Sequence, residues 1–496
     1  MSGMDIPALL RKHRTAAILL LAALMAFAFQ GSRGILEPDE GRYTNVALQM
    51  LQHDDWVSLY RNRDSLHFTK PPLTYWGIAA SVSAFGHNEW AVRLPMAAAF
   101  VLWVYLALRL GRLFTPARPW LPALLLLGSP LAFLAANWVN TDTVLAAMTA
   151  LAMACYAQAR FGGGGPRWLD AMWCAFGLAF LTKGPPGLLP LLAVLVFAIW
   201  HGDARRLLRP LGLLGFALIG FTWYAMVIQR HPGLLDYFLG HEVVARIATD
   251  THNRNGEWYG PFTQYLPTLL LGTLPALTAL AVYRRRAPTL PRPVEQTRFL
   301  WLWFALPLAV FSLAQSRLPL YVLGLTLPAV LLLARRLEAA PFGRAAAVAG
   351  ALWLAALLAV KGILPTAFDH KKDSRAFAAD IRPLLPGDPA QIVFVEDMSR
   401  NGLNLYFGAD IKKVSFTPRP KPISDSAYDA SLAQELAQPA DARVFVLKRE
   451  IEARFLRESA AAGAAPQKLG EWIEGRTPGP RDRMIYTLPG EFDRTE

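Results

Sequence analysis

The chain has 496 residues, of which 54% are hydrophobic and only 18% are charged. Soluble chains average about 45–50% apolar and about 25% charged residues, so this composition excludes a disordered chain and a purely soluble fold. The formal net charge is +13, and the two cysteines, Cys155 and Cys174, are too few for a disulfide scaffold or a cysteine-rich metal site. Both cysteines lie in apolar runs and are interpreted as packing residues.

Eleven apolar stretches are candidates for transmembrane helices, which need about 20 residues, with about 17 as the lower limit. They are 15–31, 91–111, 119–137, 141–159, 168–182, 185–201, 208–228, 262–282, 299–315, 318–334 and 345–364. Several are short or contain proline, so the count is given to within one or two spans. The sequence therefore predicts a mainly α fold, a polytopic transmembrane helix bundle of about 11 spans.

Basic residues lie on alternate connections between these spans. They are Arg11, Lys12, Arg14, Arg109, Arg112, Arg118, Arg160, Arg167, Arg205, Arg206, Arg209, Arg284, Arg285, Arg286, Arg292, Arg298, Arg335, Arg336 and Arg344. The positive-inside rule places these connections in the cytoplasm, and an odd number of spans then places the C-terminal tail outside. The excess of basic residues is therefore explained by the orientation of the chain in the membrane, and no nucleic acid partner is expected. The first span also resembles a cleavable signal peptide, an alternative that leaves the remaining topology unchanged.

Three predicted extramembrane segments lie on the outer side. The loops 32–90 and 229–261 are too long for simple connections, and their amphipathic, aromatic-flanked segments predict interfacial helices. The tail 365–496 contains two buried-strand patterns at 392–395 and 442–447 and helical patterns at 374–384 and 449–462. The predicted domains are a transmembrane domain, 1–364, and a small C-terminal α/β domain, 365–496.

Ionisable and polar candidates gather at the outer connections. They are Asp39, Glu40, Arg42, Lys70, Asp142, Lys183, His241, Glu242, Arg246, Arg317 and Tyr321. Ionisable residues within or beside membrane spans are costly and are therefore functional candidates. Each also has a structural alternative: an acidic pair that favours a helix start, lysines that snorkel, an isolated loop histidine or plain surface arginines. Their placement on one side favours a common site over independent accidents.

Carboxylates beside several lysines and arginines suit a reaction on an anionic lipid. Cations hold phosphate groups and stabilise the charge on a departing phosphate. A carboxylate acts as a general base toward the incoming nucleophile or orients it. The chain has no GxxxxGK[ST] nucleotide-phosphate loop, which fits an outer face where a lipid-linked donor replaces a nucleotide sugar.

Two motifs carry a family resemblance. Glu37-Pro38-Asp39-Glu40-Gly41-Arg42-Tyr43 and Phe68-Thr69-Lys70-Pro71-Pro72-Leu73-Thr74-Tyr75-Trp76 resemble the lipid A aminoarabinose transferases and their relatives. These are polytopic, C-type glycosyltransferases that use a polyprenyl-phosphate sugar, akin to the protein O-mannosyltransferases. The resemblance continues through 140–142, 181–185, 241–246 and 317–321, and covers roughly the first 340 residues.

The resemblance implies a role for each matching residue. Asp39 is expected to be the leading catalytic carboxylate, and Asp142 to support it. The expected lipid-phosphate or donor contacts are Arg42, Tyr43, Lys70, Arg246, Arg317 and Tyr321. The expected acceptor or supporting residues are Glu40, Lys183, His241 and Glu242.

The chain departs from the family pattern in two respects. Relatives often have glutamate before the Lys-Pro-Pro, where it can help to bind a divalent ion, and this chain has Thr69. No cofactor is therefore assigned beyond a possible divalent metal ion. The chain is also shorter than typical aminoarabinose transferases, so the sugar and the acceptor are left open.

These observations together predict a glycosyltransferase of the bacterial inner membrane, with its active site and C-terminal domain facing the periplasm. The expected donor is a polyprenyl (undecaprenyl) phosphate sugar, and the expected acceptor is lipid A or another envelope glycolipid. A protein O-glycosyltransferase with the same kind of donor is the first alternative. A lipid transporter and an envelope scaffold are the others; transporters tend to place polar groups near the midplane, whereas here they lie at one interface.

Overall fold

The computed structural model describes residues 13–244, 255–288, 290–367, 371–424, 426–473 and 479–492, with backbone alone at 241–244 and 364–367. The chain divides into two compact units. The helical unit comprises residues 1–30, 70–74 and 93–362, and the sheet unit comprises residues 31–69, 75–92 and 363–496. The predicted division at residue 364 stays a prediction.

Helices dominate the described residues. They are α1 Arg14–Phe27, α2 Asp39–Gln52, α3 Leu73–Phe85, α4 Glu89–Phe114, α5 Leu121–Leu127, α6 Pro130–Ala136, α7 Thr141–Phe161, α8 Arg167–Lys183, α9 Leu189–Trp200, α10 Pro210–Arg230, α11 Leu234–Asp236, α12 Leu266–Tyr283, α13 Val294–Leu313, α14 Thr326–Leu337, α15 Arg344–Ala367, α16 Ser374–Ile381, α17 Leu403–Phe407, α18 Leu432–Leu436 and α19 Glu452–Ala461. Shorter 3₁₀ segments are Pro185–Leu188, Ala204–Leu207, Pro319–Leu325, Arg382–Leu384 and Arg449–Ile451, and π-helical segments are Tyr237–Val244 and Pro261–Tyr265.

Seven of the described helices are long and apolar enough to cross a membrane. They are Glu89–Phe114, Thr141–Phe161, Pro210–Arg230, Pro261–Tyr283, Val294–Leu313, Pro319–Leu337 and Arg344–Ile363. Large apolar side chains on several of them are exposed, for example Leu211, Leu218 and Leu352. Exposed apolar surface on this scale needs a hydrocarbon environment, so the chain is a multi-pass membrane protein.

The remaining expected spans correspond to shorter helices. The stretches 15–31, 168–182 and 185–201 contain α1, α8 and a helical segment ending at Trp200. The single span expected over 119–137 is instead two seven-residue helices, α5 and α6. The break lies at Gly128-Ser129-Pro130, because proline cannot continue a preceding helix and the Ser129 hydroxyl accepts from the Ala132 amide, which starts a new one. The count of eleven spans stays a prediction.

The sheet unit contains a six-stranded mixed sheet. After the hairpin β1 Tyr60–Asn62 and β2 Ser65–Leu66, its strands are β3 Gln391–Val395, β4 Asp410–Ser415, β5 Ala430–Ser431, β6 Arg443–Lys448, β7 Gln467–Trp472 and β8 Arg483–Thr487. Their order is β5-β4-β3-β6-β8-β7, with β3 parallel to β4 and β6, and β8 antiparallel to β6 and β7. The strands β3 and β6 coincide with the two buried strands expected from the sequence.

Both faces of the central strands β3 and β6 are buried. Because side chains alternate along a strand, Ile392 and Phe394 join one apolar cluster, and Val393 and Val395 join another. Helix α16 contributes Phe377 to the first cluster, and α19 contributes Phe455 to the second. Helices on two faces of a partly parallel sheet give an α/β arrangement.

Residues from the first predicted outer loop are part of the sheet unit. The Gln49 amide donates to Asp410 Oδ1 at 3.3 Å, and the Asn404 amide donates to Asn45 Oδ1 at 2.8 Å. In the hairpin, Arg61 forms an ion pair with Asp429. Helix α2 and the hairpin are therefore built together with strands more than 300 residues later in the chain.

Candidate active site

In the helical unit, Asp142 and Lys183 form an ion pair. The two residues meet because α7 and α8 are joined by the short connection 162–166 and run antiparallel, so the start of one helix lies beside the end of the other. Asn140 caps α7, accepting a hydrogen bond from the Thr143 amide at 2.7 Å, which places Asp142 in the first turn. Both charges therefore lie at the helix ends that their signs favour.

The bend after Lys183 depends on glycine. Gly184 ends α8 with φ of +69°, a conformation that L side chains rarely adopt. A Cβ at Gly187 would lie 2.4 Å from the Ala179 carbonyl oxygen, so the following 3₁₀ turn packs directly on the backbone of α8. The sequence Lys183-Gly184-Pro185-Pro186-Gly187 thus sets the position of the lysine.

Tyr321 completes this cluster. The Lys183 ammonium lies 4.5 Å from the centre of the Tyr321 ring, within cation–π range. Asp142 and Tyr321 both line a small, half-open cavity of about 30 Å³, whose other walls are largely apolar and include Trp303 and Phe311. A charged pair and a phenol at the edge of an apolar cavity can hold the polar end of an amphipathic ligand.

Arg317 is close in sequence to Tyr321, but its guanidinium is hydrogen-bonded to backbone carbonyl groups. Its guanidinium donates to the carbonyl oxygens of Asn255 at 2.8 Å, Glu257 at 2.7 Å and Ser312 at 3.0 Å. The Asn255 amide donates in return to the Arg317 carbonyl at 2.9 Å. In this conformation Arg317 joins the segment beginning at Asn255 to the end of α13, and its expected donor contact stays a prediction.

In the sheet unit, Asp39 is an exposed carboxylate at the start of α2. Arg42 donates to its Oδ1 at 2.7 Å and lies 5.6 Å from the centre of the Tyr43 ring. Tyr43 is buried, and its ring centre lies 5.7 Å from that of Tyr75. Tyr43 lies one turn after Asp39 on the same face of α2, and the Asp39 carboxylate is left exposed at the first turn.

Glu40 faces inward, unlike Asp39. It is fully buried, accepts from Arg33 Nη2 at 2.9 Å and from the Leu36 amide at 3.0 Å. These contacts stabilise the loop that leads into α2, and the acceptor or supporting role expected for Glu40 stays a prediction.

Glu37 is a buried carboxyl that the motif contains but that sequence reasoning did not select. Its Oε1 accepts from the Gly402 amide at 2.6 Å and the Ser374 hydroxyl at 2.9 Å. Burial raises the pKa of Glu37 from 4.5 to about 7, against the opposing effects of these hydrogen bonds and the Arg400 charge. A Cβ at Gly41 would lie 2.2 Å from Glu37 Oε2, so the four-residue spacing to glycine was a usable signal.

Three further candidate residues lie wholly or partly outside the part of the chain that the structure describes, and a fourth, Lys70, lies inside it. The side chains of His241 and Glu242, and all of Arg246, lie outside the described residues. Lys70 is half-buried in the short segment 70–74 that belongs to the helical unit. The roles expected for these four residues stay predictions.

Thr69, the residue before the Lys-Pro-Pro motif, contacts a histidine. The Thr69 hydroxyl lies 2.8 Å from His67 Nε2. Among the described residues, no group of three or more His, Cys, Asp or Glu side chains is placed to hold a metal ion. The possible divalent metal ion stays a prediction.

Comparison with known proteins first indicates the class of protein that the chain resembles. Residues 69–228 match the family model described as dolichyl-phosphate-mannose-protein mannosyltransferase. This segment contains Lys70, Asp142 and Lys183. The likeness is therefore to glycosyltransferases with a polyprenyl-phosphate sugar donor.

Comparison with individual relatives makes this similarity more specific. The chain is 32% identical over 332 residues to the undecaprenyl phosphate-alpha-4-amino-4-deoxy-L-arabinose arabinosyl transferase of Pseudomonas savastanoi, covering 65% of this chain and 61% of that protein. It is 32% identical over 343 residues to the enzyme of the same name from Pseudomonas aeruginosa PAO1, covering 66% and 60%. The matches thus span about three fifths of each relative. The resemblance expected from the two motifs is confirmed.

Solved structures share the fold over nearly the whole chain. The crystal structure of ArnT from Cupriavidus metallidurans bound to undecaprenyl phosphate has a TM-score of 0.73 at 20% identity, covering 95% of this chain and 97% of that one. The apo structure of the same protein has a TM-score of 0.71 at 19% identity. At this level of identity the comparison concerns architecture, and it identifies an ArnT-like membrane fold.

Proposed function

We propose that this chain is a glycosyltransferase of the bacterial inner membrane that transfers a sugar from undecaprenyl phosphate to lipid A or another envelope glycolipid. The observation that carries the proposal is the Asp142–Lys183 pair beside Tyr321 at the edge of an apolar cavity. The relatives that are 32% identical are named as transferases that use an undecaprenyl phosphate sugar. The polar end and the apolar walls of this cavity match a lipid phosphate and its chain in polarity.

The proposed reaction is a direct displacement at the anomeric carbon, with inversion. An acceptor oxygen forms the new bond to that carbon, the bond to the phosphate oxygen breaks, and its electron pair leaves with undecaprenyl phosphate. Asp39 takes the proton of a hydroxyl acceptor, whereas a phosphate acceptor is already ionised and Asp39 orients it. Arg42, Lys70 and Arg246 hold the departing phosphate.

We propose a periplasmic active site for electrostatic reasons. Arg109, Arg112, Arg160 and Arg167 lie at or beside the ends of α4, α7 and α8 that are remote from Asp142. The positive-inside rule places such arginines in the cytoplasm and Asp142 on the opposite face. The loops 32–90 and 229–261 would supply interfacial helices on that face.

Substitution of Asp39 tests the chemistry. Asp39→Asn keeps the size of the side chain and removes the base, so transfer to a hydroxyl acceptor should fall by about 100-fold or more while undecaprenyl phosphate still binds. The measurement is sugar transfer from undecaprenyl phosphate-aminoarabinose in detergent, beside an undecaprenyl phosphate binding assay. Full transfer by Asp39→Asn would remove the role given to Asp39.

Lys70→Ala separates donor binding from the chemical step. Loss of one phosphate contact should raise the donor KM about tenfold or more, because a hydrogen bond to a charged group contributes about 1.5–3 kcal/mol. Lys70→Arg, which keeps the charge, is the matched control, and its donor KM should lie between those of the wild type and Lys70→Ala. An unchanged donor dependence in Lys70→Ala would contradict a phosphate contact.

One observation favours a second acceptor class, protein hydroxyls. The family model matched by residues 69–228 is described as a protein mannosyltransferase. Mass spectra of lipid A and of secreted proteins from strains with and without the gene distinguish the two. A mass difference found only in the proteins would show that the acceptor is a protein and not a glycolipid.

A further inference from the structure

A second cavity lies in the helical unit at the end remote from Asp142. It is lined by α4, α7 and the first turn of α8, including Arg109, Gln158 and Trp168. Asp142 and Gln158 are 16 residues apart on one continuous helix, which places them about 24 Å apart along its axis. This cavity is therefore separate from the one beside Tyr321.

The cavity has an apolar floor and a polar edge. Its volume is about 130 Å³, enough for a segment of an acyl chain, and Leu106, Leu110 and Leu151 form much of its surface. Arg109 and Tyr105 lie at the polar edge, with Arg109 Nη1 3.4 Å from the Tyr105 hydroxyl. This combination suits a molecule that has an anionic head and a hydrocarbon chain.

Arg109 has no carboxylate partner among the described residues, a property that it shares with the exposed Arg112 and Arg167 at the same end. Arg160 forms an ion pair with Glu295 at 3.0 Å, Arg209 with Asp170 at 3.0 Å, and Arg292 with Glu338 at 3.2 Å. The protein thus supplies acids to several neighbouring arginines. Among the unpaired arginines at this end, Arg109 lines the apolar cavity, and its charge is available there for an external anion.

Two glycines shape the polar edge of this cavity. A Cβ at Gly164 would lie 2.5 Å from Trp168 Cδ1, and a Cβ at Gly162 would lie 2.4 Å from Gln158 Nε2. The Gly164 amide also donates to the Gln158 carbonyl at 3.0 Å. The glycines after α7 allow the Trp168 indole and the Gln158 amide to lie close to the backbone at the cavity.

From these observations we propose that the cavity is a binding site for one anionic glycerophospholipid of the surrounding bilayer. Arg109 binds the lipid phosphate through its planar guanidinium, and an acyl chain fills the leucine-lined floor. Trp168 lies at the depth of the headgroups, where tryptophan is enriched in membrane proteins. The site is independent of the proposed transfer reaction.

Native mass spectrometry of the delipidated full chain in detergent tests this site, with phosphatidylglycerol and phosphatidylcholine as probes. The wild type should retain one phosphatidylglycerol at least tenfold more tightly than phosphatidylcholine. Arg109→Gln should reduce phosphatidylglycerol affinity to the phosphatidylcholine level. Arg112→Gln, on the same helix but exposed and outside the cavity, is the matched control and should stay within about twofold of the wild type.

A second series tests insertion of the acyl chain. Ala154, which lines the cavity, is replaced by Leu and by Phe, and lipid retention should fall progressively as the cavity is filled. Equal loss in Arg109→Gln and Arg112→Gln would overturn the proposal in favour of diffuse attraction by the basic end. Equal retention of the two lipids, or unchanged retention in folded Ala154→Leu and Ala154→Phe, would also overturn it.

Discussion

Asp142 and Lys183 have side chains only 12% and 8% exposed, so neither charge is well hydrated without the other. Removing one partner leaves an unpaired charge, whereas removing both does not. We therefore expect Asp142→Asn and Lys183→Met each to lower the melting temperature, and the double variant to lose less than their sum. A double-mutant cycle on detergent-purified protein should give a coupling of about 1–3 kcal/mol.

An exposed pair provides the control for that cycle. Arg454 and Glu458 form an i,i+4 pair with side chains 48% and 46% exposed, for which a coupling of about 0.3–0.5 kcal/mol is expected. Strict additivity at Asp142 and Lys183, with a coupling no larger than that of the control, would show that the pair is not electrostatically important.

Glu37 should make stability fall as pH rises. Burial raises its pKa in the folded protein to about 7 from 4.5, so the folded state keeps a proton that the unfolded chain releases between these values. The stabilisation is complete below about pH 4.5 and is lost as pH rises through about 7, by roughly 3 kcal/mol at about 1.4 kcal/mol per pKa unit. Glu37→Gln does not titrate and should lack this component.

Melting temperatures of the two proteins between about pH 5 and pH 8 measure this component of stability. Burial also raises the pKa of Asp410, to about 6, which gives a trend of the same sign in both proteins. The difference between wild type and Glu37→Gln is therefore the informative quantity. If the melting temperatures of the two proteins changed with pH by the same amount across this range, Glu37 would not titrate there.

Single-residue candidates could be found from the sequence, but their partners could not. Asp142 and Lys183 stand out as charges beside apolar stretches, yet their ion pair depends on the antiparallel packing of two helices. In the motif that begins at Glu37, the family resemblance points to Asp39 as the catalytic carboxylate and assigns no role to Glu37. The burial of Glu37 depends on Ser374 and Gly402, which no local pattern connects to it.

At the scale of elements, the 3₁₀ turn after α8 should be sensitive to one methyl group. Gly187→Ala brings a Cβ within 2.4 Å of the Ala179 carbonyl, so the turn must move and Lys183 with it. We expect at least a tenfold loss of transfer activity and a lower melting temperature. Gly350→Ala in α15, where a Cβ would meet nothing within 4 Å, is the control and should be neutral or slightly stabilising. Equal behaviour of the two variants would contradict the close packing.

Elements were predictable where length and hydrophobicity alone determine them. Seven of the expected spans correspond to the long apolar helices, because hydrocarbon thickness fixes their length. The division of 119–137 was visible in Gly128-Ser129-Pro130, but composition over the whole stretch obscured it. The register of β3 beside both β4 and β6 could not be predicted, since pairing partners depend on distant segments.

At the scale of the whole molecule, the grouping of residues 31–69 with 363–496 is the feature that sequence reasoning did not anticipate. Hydropathy marks both segments as outside the membrane and says nothing about their association. Within the sheet unit, that association is made by buried polar contacts such as Ser65 to Asp429 at 2.8 Å and Gln52 to Asn404 at 3.0 Å. The helix that begins at Asp39 therefore depends on the tail for its packing.

Deletion of residues 371–496 should consequently abolish transfer even if the tail never contacts a substrate, because it removes the partners of Glu37 and Asn45. Proteolysis should then cut within 31–69, which is protected in the intact chain. Loss of activity on deletion is thus expected for an enzyme and for a scaffold alike. Asp39→Asn distinguishes them: it leaves protection and binding intact in both, and it abolishes function only in the enzyme. A truncated chain that keeps both its activity and its protease resistance would contradict the shared packing of loop and tail.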